Sequence, residues 1–94
     1  MDASCGLIVR SKAGRDKCGW FVILELDNDY ALIANGDSRK VESPKRKKLK
    51  HLQLTGSLSE HISNKLSSGI DVTNSEVRTA LAEYLEKQGG NFCG

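Results

Sequence analysis

Residues 39–51, RKVESPKRKKLKH, set seven Lys and Arg against one acid, Glu42, and hold half of the chain's 14 basic side chains. Cations at that density repel one another unless a polyanion neutralises them, and the polymer with closely spaced negative charge is nucleic acid. The chemistry offered is phosphate binding by Arg39, Lys40, Lys45, Arg46, Lys47, Lys48 and Lys50, with His51 either a proton-dependent contact beside Lys50 or a partly buried structural histidine. Lys12, Arg15 and Lys17 form a second basic group in KAGRDKCG, residues 12–19, where the glycines let the backbone pass close to a ligand. Phosphate contacts position RNA but read little of its sequence. Arg15, Arg39 and Arg46 are the exceptions, because a guanidinium binds bidentately and stacks on exposed bases. The plainer reading is a solvated loop; it suits scattered lysines better than this density with a second cluster nearby.

Catalysis finds little to work with. Cys18 has cations near it that would lower its pKa, yet no base or orienting group accompanies it. Asp27, Asp29 and Asp37 lack calcium-ligand spacing, and no cysteine or histidine pair has zinc spacing. The expectation is a non-enzyme without metal or cofactor.

Short strands must position these cations. Residues 6–11 (GLIVRS) are β-prone, and residues 20–26 (WFVILEL) give the strongest strand signal, which places that strand centrally. A polar turn at residues 27–29 leads into YALIA, residues 30–34, so the second and third strands read as a hairpin, with Asn35-Gly36 as the next reversal. Pro44 pushes Ser43 toward extended backbone, which predicts that residues 45–50 leave the sheet as a surface loop. Reversing Lys45, Lys47 and Lys48 to Glu should then abolish RNA binding and spare folding. Alternation returns at Leu52-Gln53-Leu54, and four or five short strands in so few residues suggest a small antiparallel barrel. Phe21 and Tyr30 are assigned to its core, whereas Trp20, which opens its strand beside the basic turn, is divided between core and a ring edge shown to RNA.

After Gly56 the pattern becomes helical. Ser57 to Glu60 matches a capping box ahead of Leu58, Ile62 and Leu66, and Thr73 to Glu76 is a second, with Val72 stapled onto Val77. Val77, Ala80, Leu81, Tyr84 and Leu85 make an apolar stripe over a helix at about residues 74–88, to be covered by the first helix, the barrel or a partner. His61 falls on the surface of the first helix.

Gly6-Leu-Ile-Val9, followed by Ser11, Gly14, Asp16, Gly19 and Val22, resembles the KOW motif of ribosomal large-subunit proteins and NusG-type transcription factors. With the lysine-rich run included, residues 6–54 are similar to small bacterial KOW-domain RNA-binding proteins of the ribosomal type. The resemblance implies a mainly β fold, an SH3-like antiparallel barrel over residues 1–56 with a helical extension at 57–94. It also implies binding to structured, ribosomal RNA, with residues 11–19 and 39–51 facing phosphate. KOW barrels of transcription factors touch polymerase or ribosomal proteins, so a protein-interaction module is the competing expectation.

At 94 residues the chain accommodates one small core. Its net charge of +2 conceals an asymmetry: residues 1–56 carry 11 Lys and Arg against 7 acids, residues 57–94 carry 3 against 5. The odd set Cys5, Cys18 and Cys93 suits free thiols in a reducing cytoplasm, and no stretch has the make-up of a secretory signal or a membrane span. A cytoplasmic protein is expected.

Overall fold

The computed structural model describes residues 3–12 and 19–87. Five strands, β1 (Leu7–Ser11), β2 (Trp20–Asp27), β3 (Tyr30–Ala34), β4 (Lys45–Lys48) and β5 (Leu52–Leu58), form one antiparallel sheet in the order β4-β3-β2-β1-β5. A 3₁₀ turn, Leu49–His51, joins the two outermost strands, and two helices follow, α1 (Glu60–Ser67) and α2 (Asn74–Lys87). This is the expected small SH3-like barrel with C-terminal helices.

Irregularities in the ladder bend the sheet. Between the pairs Ile23–Ile33 and Glu25–Leu32 the register shifts by one residue, leaving Leu24 as a bulge that turns β2. Between Leu7–Leu58 and Val9–Leu54 it shifts again, where Gly56 takes a φ of +81°. The Thr55 hydroxyl there donates to the Ile8 carbonyl at 2.7 Å and accepts from the Ser57 N–H, satisfying groups the ladder skips.

Alternation along the strands builds two cores. Leu7, Val9, Phe21, Ile23, Ala31, Ile33 and Leu52 point into the barrel. Ile8 and Val22, on the opposite face, pack with Ile62 of α1, Val72, and Val77 and Leu81 of α2. The α2 stripe is therefore covered from within the chain, by the barrel and α1, and the helical segment forms a second layer on β1 and β2.

The caps follow the sequence in one helix and differ in the other. At α2 the box is reciprocal, with the Glu76 N–H donating to Thr73 Oγ1 at 3.2 Å and the Thr73 N–H to Glu76 Oε1 at 2.9 Å. At α1 the cap is Ser59, whose Oγ accepts from the Ile62 N–H, while Ser57 still belongs to β5. The sheet extends through Leu58 because β1 supplies partners for that much of the strand, which displaces the helix start by two residues.

The largest correction concerns residues 45–48, expected in a loop. They form β4, pairing Lys45, Arg46, Lys47 and Lys48 with Ile33, Leu32, Ala31 and Tyr30. Lysine disfavours strands only weakly, and the extended entry set by Pro44 beside an unpaired ladder on β3 outweighs that preference.

Candidate nucleic-acid interface

Pairing as a strand divides the basic run between two faces. Lys45 and Lys47 share the inward side with Ile33 and Ala31, and Lys47 is buried, its Nζ donating to Ser11 Oγ at 2.8 Å. A buried ammonium needs such partners. Lys45 is half-buried on the same side. Arg46 and Lys48 point outward. The Arg46 guanidinium lies 3.8 Å from the centroid of the Tyr30 ring, and Lys48 Nζ lies 5.9 Å from the same centroid. Tyr30 is thus half-buried on the outer face, outside the barrel core to which its sequence context assigned it. Phe21 occupies the core as expected.

The 3₁₀ turn gathers the remaining cations. The Lys12 N–H donates to the His51 carbonyl and the Leu49 N–H to the Asp29 carbonyl, so the start of the β1–β2 connection and the β2–β3 turn both meet residues 49–51. Lys12, Lys48 and Lys50 are exposed around this junction, with His51 half-buried beneath them. Arg15 and Lys17 lie outside the described residues, as do Gly14, Asp16 and Cys18.

Two expected members do not join them. Arg39 and Lys40 belong to the connection between β3 and β4, at the opposite end of the β3–β4 ribbon from Lys48, with the length of β4, about 10 Å over its three steps, between them. That connection is clamped onto α2. Asn74 accepts from the Val41 N–H through Oδ1 and donates through Nδ2 to the Glu42 carboxylate, which holds that carboxyl below its usual range. Arg78 donates to the Gly36 carbonyl. Asn35 Oδ1 accepts from the Asp37 and Arg39 N–H groups, an Asx-type turn, and Gly36 takes φ +77°.

Trp20 also sits apart, on the helix-covered face. Its ring stands 5.4 Å from that of Tyr84 at 52°, with the Arg10 guanidinium 5.9 Å over it, and its indole Nε1 is buried without a hydrogen-bond partner among the described residues. His61 is on the surface of α1, hydrogen-bonded to Glu76.

The outward basic surface is accordingly smaller than the sequence suggests, and it is edged by acid. Glu25 and Asp27, past the β2 bulge, pair with Leu32 and Tyr30 on the same outer face, and Arg46 Nη2 is 3.7 Å from Asp27 Oδ2. The residue that sequence reasoning placed wrongly is Tyr30, assigned to the core and found on this outer face. The signal was available, since Tyr30 alternates with Ala31 and Ile33 and so must face away from them.

Among the described residues, no group of His, Cys, Asp or Glu is arranged to hold a metal ion, and no helix is long and apolar enough to cross a membrane. Cys5 is a free, half-buried thiol. No protein-family model matches the chain, and no curated protein matches it.

Proposed function

We propose that the chain is a cytoplasmic RNA-binding protein that docks on structured RNA mainly through phosphate contacts. The observation that carries this reading is the junction at the 3₁₀ turn, where the Lys12–His51 backbone bond brings Lys12 beside Lys48 and Lys50. Three exposed cations over one edge of a small barrel suit a sugar-phosphate chain. The ribosomal destination, in translation or ribosome assembly, rests on the KOW resemblance of residues 6–54.

The test is titration of ribosomal RNA fragments at several salt concentrations. Three neutralised phosphates give a slope of log affinity against log salt of about −3, at about −0.9 each for duplex. Lys48→Glu with Lys50→Glu should weaken binding by more than an order of magnitude, whereas Arg39→Glu with Lys40→Glu, at the far end of the ribbon, should change it little. A flat salt response, or equal losses from the two pairs, overturns the reading.

A further inference from the structure

Arg46 differs from its basic neighbours in what it presents. Its guanidinium lies over the Tyr30 ring at 3.8 Å, so the plane has a fixed backing, and its side chain is nevertheless 56% exposed. Asp27 stands 3.7 Å from Nη2 and offsets part of the charge. A cation already facing a carboxylate is a poor choice for an incoming phosphate, which that carboxylate repels. What remains to offer is the outer face of a flat, delocalised and weakly hydrated group, the surface on which a nucleobase stacks. A cavity of about 290 Å³ lies alongside, lined by Glu25, Leu26, Asp27, Tyr30, Leu32 and Arg46. Its size and apolar floor admit a single base, and Lys48, exposed on the same strand face, is placed to meet the phosphate of the same nucleotide.

We infer that Arg46, backed by Tyr30, is a stacking site for one unpaired nucleobase, so that the protein prefers RNA with a single-stranded or bulged nucleotide to continuous duplex. This deepens the RNA-binding reading and rests on it. Arg46 touches the base; Tyr30 is a positioning residue that holds the guanidinium plane.

The test compares two RNAs of equal length, a perfect duplex and the same duplex with one bulged 2-aminopurine, binding to wild type, Arg46→Lys, Tyr30→Phe and Tyr30→Leu. Wild type should bind the bulged RNA about tenfold more tightly and change the 2-aminopurine fluorescence by stacking. Arg46→Lys keeps the charge and removes the plane, so it should abolish that preference while leaving duplex affinity and its salt slope as they were. Tyr30→Phe should behave as wild type, and Tyr30→Leu should lose most of the preference. Equal affinity of wild type for both RNAs, or a preference that survives Arg46→Lys, overturns the inference while leaving phosphate binding in place. If wild type binds neither RNA, the broader reading fails and takes the stacking site with it.

Discussion

Gly36 should be among the least replaceable residues of the chain, and Gly69 supplies its control. Both adopt left-handed backbone, φ +77° and +72°. An added Cβ at Gly69 meets nothing within 4 Å, so Gly69→Ala carries only the conformational penalty, about 1 kcal/mol. At Gly36 the same methyl would lie 2.4 Å from the Asn74 carbonyl oxygen and 2.9 Å from Arg78 Cγ. The arginine can swing aside, but a backbone oxygen in the first turn of a packed helix cannot. Relief therefore requires lifting the β3–β4 connection off α2, which endangers the part-buried Arg78–Gly36 and Val41–Asn74 bonds. At about 1 kcal/mol for each of these two bonds, added to the backbone term, Gly36→Ala should destabilise by about 3 kcal/mol. A domain of this length has roughly 5–14 kcal/mol in total, so the change is a large fraction. Urea denaturation followed by the fluorescence of Trp20, which lies in the seam between sheet and α2, reads the difference. Unfolding free energies for the two alanine variants that agree to within about 0.5 kcal/mol would refute the account of the loop as clamped.

Three further outcomes are expected. Leu81→Asp sets a charge among Ile8, Val22 and Val77 and should unfold the protein by about 3–5 kcal/mol, seen as loss of the cooperative thermal transition. Lys47→Glu should destabilise the barrel by several kcal/mol because it replaces the donor to Ser11 with a buried acid, while the exposed Lys48→Glu stays within about 0.5 kcal/mol in the same melt. Lys65, the Thr73 N–H and His61 hold the Glu76 carboxyl at about 2; a depressed folded-state pKa contributes stability above the unfolded value of about 4.3 that is lost as pH falls toward 2, so wild type should lose stability over that window and Glu76→Gln much less, by denaturation at stepped pH.

How much of this the chain spelled out depends on whether neighbouring residues differ in polarity. Residues 20–26, the Asn28-Asp29 turn and the Thr73 box announce themselves through β-branched content, turn residues and capping chemistry, and each stands where expected. Lys-Arg-Lys-Lys is silent because period-two reasoning needs contrast, and four cations in a row give none. Only the ladder with β3 reveals that alternate members turn inward. A contiguous basic run likewise hides the reversal between Lys40 and Lys45 that carries Arg39 and Lys40 to the far end of the ribbon. Trp20 resolves to the core side of its divided reading, packed with Tyr84 on the helix-covered face, because which outer face a helix will later cover cannot be read from the strand itself. Tyr30 misses its core assignment although its alternation with Ala31 and Ile33 turns it outward.

The outermost position of β4 gives its charge a second consequence. Among the described residues β4 is the outermost strand on its side of the sheet, and such a rim is the usual starting point for intermolecular strand addition. Two copies approaching rim to rim would set Lys-Arg-Lys-Lys against itself, and like charge opposite like charge disfavours such a pair. The protection is ionic and so fades as the Debye length shrinks. Free protein should therefore self-associate more readily in concentrated salt than in dilute buffer, contrary to the habit of proteins that aggregate through opposite charges.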